Sequence, residues 1–175
     1  TRDLPASAVR RATDFQIWSH TAFVPAVIVA AQPPASMVST VGWLPELAAL
    51  QTATLVLSLA YHRNFERPGA LATCEGVFAK ALFLYGGVQT ACSPAPELLA
   101  FNSTCLLATL GTYIVTNVVD QRLYERWHPI GLHIVPGMWS LNVALHHESL
   151  LPPSALRAAH EACTSGITAA LGLVG

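Results

Sequence analysis

The chain has 175 residues, of which 53% are hydrophobic and only 11% are charged, and its formal net charge is −1. Because soluble domains carry about 25% charged residues, this composition argues against an ordinary water-soluble protein. The near-neutral charge and the scattered arginines give nucleic-acid binding no support. The composition therefore predicts an integral membrane protein, with the lipid bilayer as its surroundings.

Apolar stretches follow a polar segment, residues 1–14. Five stretches carry little charge and a weaker sixth follows them: Phe15–Ala31, Trp43–His62, Leu71–Ala91, Glu97–Val119, His128–Leu145 and Ser154–Val174. About 20 apolar residues cross the hydrocarbon core of a bilayer as an α-helix, and no linker divides the stretches. We therefore expect an all-α fold, a polytopic transmembrane helical bundle with five to six spanning helices, in which residues 15–175 form a single domain.

Cationic residues lie at one end of the predicted helices. Seven of the nine Lys and Arg residues precede the first helix or follow the second and fourth helices: Arg2, Arg10, Arg11, Arg63, Arg67, Arg122 and Arg126. This positive-inside pattern places the N-terminus on the side from which the helices are inserted. The segment Thr1–Arg11 resembles the remnant of an organellar presequence, for a plastid or mitochondrial membrane, or a simple cytosolic-side anchor. Both alternatives stay open.

Two features lie deep inside predicted helices. Lys80 is near the middle of the third, too far from either interface to reach it without strain, so it should face a carboxylate, a backbone carbonyl or an acceptor group of a ligand. Pro136-Gly137 should kink or unwind the fifth helix. A transporter or channel could use both as a midplane site, but no inverted repeat supports that class.

Polar side chains of several helices are predicted to meet at the arginine-rich boundary. Ser58 and His62 are four residues apart and share one face of the second helix, and the other candidates begin or end neighbouring helices: Glu75, Asp120, His128 and His133. Imidazole and carboxylate are the ligands of a catalytic zinc site with an open position. Alternatively, the histidines anchor helix ends at the headgroups, Asp120 pairs with Arg122 or Arg126, and Glu75 caps a helix or pairs with Arg67.

The pattern Ser58-x-x-x-His62 also carries a family resemblance. Together with Phe23–Ala30, Glu46–Ala49 and Pro68-Gly69 it resembles the first two helices of myomaker-like proteins, which belong to the CREST superfamily with the alkaline ceramidases and adiponectin-receptor-like proteins. The resemblance continues through Cys74, Tyr85-Gly86, Arg122–Trp127 and Pro129–Gly131, and it covers roughly two-thirds of the chain.

The resemblance implies a seven-helix bundle that holds a zinc ion, with Ser58 and His62 at the site and a metal-activated water that attacks a lipid amide or ester. The chain departs from this pattern in two places. Lys80 stands where the family has an acidic residue on the third helix, and a cation beside zinc is unfavourable. The family's last helix carries His-x-x-x-His, which here is approached only by Leu156-x-x-x-His160, and the chain has room for five or six helices.

These departures favour a structural role over catalysis. We expect a small accessory subunit of a larger, cofactor-rich membrane complex, in contact with other membrane-protein subunits through its many small residues. In such a complex, single histidines could each ligate a pigment or haem: His20, His62, His133 and His147. The alternative is a zinc-dependent membrane hydrolase that acts on a lipid amide or ester and binds the metal through His62, His128 and His133.

Overall fold

The computed structural model describes residues 12–32, 44–91, 93 and 95–146, and the regular structure within these ranges is entirely helical. The predicted sixth helix, Ser154–Val174, lies outside the described residues, as do His147 and most of the polar segment 1–14.

Five helices follow one another along the described chain, and each coincides with one of the five predicted apolar stretches. They are α1 (residues 14–30), α2 (Pro45–Arg63), α3 (Ala70–Ala91), α4 (Pro96–Val119) and α5 (residues 124–145). The prediction of an all-helical fold is confirmed for this part of the chain.

Local sequence explains where the helices begin. Thr13 and Gln16 form a capping box at the start of α1, in which each side chain accepts a hydrogen bond from the backbone N–H of the other residue. Pro45 and Pro96 occupy the first positions of α2 and α4, where the missing N–H of proline costs no hydrogen bond.

Two of the five helices, Ala70–Ala91 and Pro96–Val119, are long and apolar enough to cross a membrane. Only 11% and 17% of their most apolar windows are buried inside the protein, so neither is the covered core helix of a soluble domain. The prediction of five to six spanning helices is not confirmed. Helix α2 has 19 residues but fails the same test, because polar side chains such as Gln51 and Thr54 interrupt it.

The distribution of polarity is inverted relative to a soluble protein. Fifteen polar or charged side chains are buried in the described part of the chain, among them Gln51, His62 and Asn102. Large apolar side chains are exposed along the helices instead, and Trp18, Leu84 and Val118 are between 66% and 72% exposed. Ordinary globular domains bury mostly apolar side chains.

Glycines let α5 pack closely against its neighbours. A Cβ added at Gly137 would lie 2.6 Å from the backbone oxygen of Ala22 in α1. A Cβ at Gly131 would collide with the side chain of Thr112 in α4. Small residues allow helix backbones to approach in this way, and the contacts fix α5 between α1 and α4.

Helix α5 departs from α geometry ahead of its proline. The segment Pro129–Ile134 is a π-helix, and regular α-helix resumes at Val135. Proline has no N–H and its ring crowds the carbonyl one turn earlier, so the distortion lies before Pro136-Gly137 rather than at it. Hydrogen bonds from residue i to residue i+5 are typical of a π-helix. Two side chains five positions apart, such as those of His128 and His133, therefore share a face.

Candidate functional site

Three buried histidines from three helices form one cluster. His20 lies in the 3-10 turn His20–Phe23 of α1, His62 in the last turn of α2 and His133 in the π-helical part of α5. Each is at most 3% exposed. Each offers a ring nitrogen, and the three nitrogens lie within 4.8 Å of one another. Among the described residues, these three make up the one group with the composition and spacing of a metal site.

Hydrogen bonds at the Nδ1 atoms indicate that Nδ1 is the nitrogen that carries the proton in all three rings. His20 Nδ1 lies 2.7 Å from the backbone oxygen of Gln16, which can only accept, so Nδ1 donates. The Ser19 hydroxyl donates its proton to the same oxygen, at 2.8 Å. The Ser19 oxygen must then accept the 2.6 Å hydrogen bond from His133 Nδ1. His62 Nδ1 donates to the Glu66 carboxylate at 2.8 Å.

Each Nε2 atom therefore carries the lone pair in the neutral ring, because only one nitrogen of a neutral imidazole is protonated. This is the arrangement of metal-binding histidines, whose other N–H is usually held by a carboxylate, a carbonyl or a hydroxyl. Zinc–nitrogen bonds of about 2.0–2.1 Å place the ligand nitrogens about 3.3–3.5 Å apart in a tetrahedral site. The ligand nitrogens of the cluster, one from each ring, lie within 4.8 Å of one another, so they would have to move closer together to share one ion. His20 Nε2 lies 3.0 Å from the Ser58 hydroxyl.

The carboxylate that holds His62 is positioned by an unusual backbone. Phe65 and Glu66 have φ angles of 57° and 51°, in the left-handed region that side chains other than glycine rarely adopt. The turn directs Glu66 back towards His62, four residues earlier, and its side chain also accepts a hydrogen bond from the Gln16 amide at 3.3 Å. Such backbone strain costs about 1–3 kcal/mol per residue and clusters at functional sites.

A cavity of about 440 Å³ begins at the cluster and is bounded by all five helices. His62 and His133 line it, as do Ser58, Glu75 and His128, five of the residues predicted to converge. The ring of His128 lies 5.3 Å from that of His62 and 4.9 Å from that of His133. The rest of the lining is largely apolar and includes Leu82, Phe83 and Trp139.

Asp120 was predicted as a fifth ligand, but the structure places it away from the cluster. It caps the short turn Gln121–Leu123, accepts a 2.9 Å hydrogen bond from the backbone N–H of Arg122 and pairs with the Arg122 side chain at 3.2 Å. These hydrogen bonds lower the pKa of Asp120. The alternative interpretation, a pair with Arg122, is the one that the geometry shows.

The pigment hypothesis treated His20, His62 and His133 as isolated ligands. The structure contradicts their isolation, because the ring centroids lie only 3.9–5.4 Å apart. His147, the fourth residue of that hypothesis, lies outside the described residues.

Sequence reasoning missed two participants. His20 was not assigned to the same site as His62 and His133, and nothing in the spacing along the chain connects it to them. Glu66 was missed although a signal existed, because the pattern His62-x-x-x-Glu66 places a carboxylate one helical turn from a candidate ligand.

No protein-family model, curated protein or solved structure matches the chain. The resemblance to the CREST superfamily therefore stays a prediction, and the residues of the site carry the functional inference alone.

Proposed function

We propose that the protein is a metal-dependent hydrolase of the membrane that cleaves a lipid amide or ester, on a scaffold similar to the CREST superfamily. The observation that carries this proposal is the buried cluster of His20, His62 and His133, in which the protein holds three Nδ1 atoms by hydrogen bonds and one ring nitrogen of each histidine lies within 4.8 Å of the other two. Three imidazoles with an open fourth position are a ligand set of catalytic zinc.

The membrane setting is supported by the inverted polarity of the bundle. Apolar side chains cover the outside of the helices, and polar side chains fill the interior. In lipid this arrangement is favourable, because polar groups are kept out of the hydrocarbon while apolar groups face the acyl chains. On this proposal α1, α2 and α5 also lie in the membrane beside the two longest apolar helices.

The cavity suits an acyl chain next to a hydrolytic centre. A zinc ion at the cluster would supply Lewis acidity, which lowers the pKa of water and polarises a carbonyl. Glu75 lines the cavity within interaction range of the Ser58 hydroxyl, so its carboxylate can accept a proton from water at this end. Ser58 can donate a hydrogen bond to the substrate carbonyl, and Phe83 and Trp139 exclude water from the acyl chain.

The test is metal content and hydrolysis in the purified, gently solubilised protein. We expect about one zinc per chain and release of fatty acid from a lipid amide or ester, with both lost in His62→Ala and His133→Ala. His146→Ala is the matched control, since His146 is exposed beyond the end of α5, and it should retain both. A metal-free wild-type protein that releases no fatty acid would overturn the proposal.

The hypothesis of an accessory subunit in a larger membrane complex stays a prediction. The apparent mass of the same particle separates the two functions. A coloured or metal-free, inactive particle far above 18.6 kDa would favour the subunit, whereas active zinc protein in a small particle would favour the hydrolase.

A further inference from the structure

Lys80 is a cation that lines the same cavity as His62 and His133. It lies halfway along Ala70–Ala91, one of the two helices that are long and apolar enough to cross a membrane, and its side chain is exposed. Neither of the two ion pairs found in the described part of the chain includes Lys80. Glu75 interacts with the Lys80 charge from a greater distance than an ion pair.

The depth of this cation calls for a partner. An ammonium group near the centre of a bilayer is costly unless it is paired or reaches water. From the middle of a 22-residue helix, about 16 Å from either end at 1.5 Å per residue, the side chain of lysine cannot reach the interface. The cavity that Lys80 lines is a place where an anionic partner could bind.

We propose that Lys80 binds the anionic group of an acidic lipid substrate, such as the carboxylate of an N-acyl amino acid. This inference rests on the proposed hydrolase. It adds the substrate class: the acyl chain lies along Leu82 and Trp139, the scissile amide lies at the histidine cluster, and the acidic group lies at Lys80.

The reaction balances as a simple hydrolysis. The oxygen of water bonds to the acyl carbon, the carbon–nitrogen bond of the amide breaks, and the proton released from water passes to the leaving nitrogen. The products are a fatty acid and an amino acid. Lys80 touches neither the breaking bond nor the water, so its contribution is to substrate binding.

Two amides of equal chain length test the inference, N-lauroylglycine and its neutral counterpart N-lauroylethanolamine. In Lys80→Met, which keeps the length of the side chain and removes its charge, kcat/KM for N-lauroylglycine should fall roughly 10- to 100-fold, the usual size of a lost charged contact, chiefly through KM. The rate for N-lauroylethanolamine should change less than about 2-fold. Lys80→Arg should retain the preference, as should the control Leu84→Met on the exposed face of α3.

Equilibrium binding of N-lauroylglycine to the His62→Ala protein separates this inference from the proposed function. If adding Lys80→Met to the His62→Ala protein weakens that binding, while the wild-type protein hydrolyses neither amide, the anion site is supported and the hydrolase is overturned. If both amides are hydrolysed and Lys80→Met affects them equally, the hydrolase is supported and the anion site is overturned. Binding of N-lauroylglycine that is indifferent to Lys80 in a protein without hydrolysis would overturn both.

Discussion

Removal of the Glu66 carboxylate tests whether the strained turn after α2 exists to orient His62. Glu66 is buried, accepts a 2.8 Å hydrogen bond from His62 Nδ1 and a 3.3 Å hydrogen bond from the Gln16 amide. In Glu66→Ala both donors lose their acceptor, and the His62 ring is free to rotate or to change tautomer. In Glu66→Gln the side-chain oxygen can still accept from His62, but the charge is gone.

The size of the effect follows from these contacts. Loss of an outer partner of a metal-binding histidine usually costs about 10- to 100-fold in metal affinity, which corresponds to about 1.4–2.8 kcal/mol. A buried donor without a partner also costs about 1–3 kcal/mol of folding stability, an effect separate from the loss of zinc affinity in Glu66→Ala. Charged hydrogen bonds are about twice as strong as neutral ones. Glu66→Gln should therefore lose roughly 3- to 10-fold.

Zinc affinity is measured by competition with a chelator of known affinity in the solubilised protein. Glu125→Ala is the matched control, because it removes an exposed carboxylate of the same charge close to the site in sequence, and its affinity should equal that of the wild type. If Glu66→Ala binds zinc as tightly as Glu125→Ala, then Glu66 does not orient His62, and the left-handed turn needs another explanation.

Two further substitutions test the packing and the assignment of the site. Gly131→Ala should destabilise the bundle by about 1–3 kcal/mol, which is typical of overpacking, because the added Cβ would collide with Thr112. Gly111→Ala is the control, since a Cβ at Gly111 meets open space. Thermal melting in detergent compares the two variants, and equal melting temperatures would contradict the close packing of α5 on α4. Asp120→Asn should leave zinc content unchanged. The pKa of Asp120 is lowered in the folded protein by its hydrogen bonds to Arg122, so its small stabilising contribution is present above the ordinary carboxyl pKa and is lost as pH falls through the lowered value. The difference in melting temperature between wild type and Asp120→Asn should vanish in acid, and a difference that grows in acid would contradict this sign.

The sequence predicted the five helices of the described chain, and two of them pass the test of length and hydropathy for a membrane span. Apolar length alone locates α3 and α4, because their polar residues are few. It also predicts a span over α2, whose apolar run includes Gln51, Thr54 and Ser58 and does not pass the test of length and hydropathy. These polar side chains face the interior of the bundle, and a hydropathy pattern cannot register which face is buried.

The residues of the candidate site could be predicted only where they lie at the ends of consecutive helices, because the order and direction of the helices bring those ends together. Alternating helix direction brings the end of α2 next to the start of α3 and the start of α5, so His62, Glu75 and His133 were expected close together, and all three line the cavity. His20 joins them because the 3-10 turn in α1 and the close approach of Gly137 to Ala22 set the rotation of α1 against α5. Those are packing details between distant segments, which no local pattern encodes.

The first turn of α1 connects the elements of the site. The backbone oxygen of Gln16 accepts hydrogen bonds from both Ser19 and His20, and Ser19 in turn accepts from His133. The side chain of Gln16 contributes to the capping box and donates to Glu66, which holds His62. Gln16 thus either accepts the Nδ1 hydrogen bond itself, as for His20, or makes a hydrogen bond to the residue that accepts it, as for His62 and His133. The cluster is consequently set by the N-terminal cap of α1 as much as by the helices that carry His62 and His133, and a displacement of that turn would disorder all three rings together.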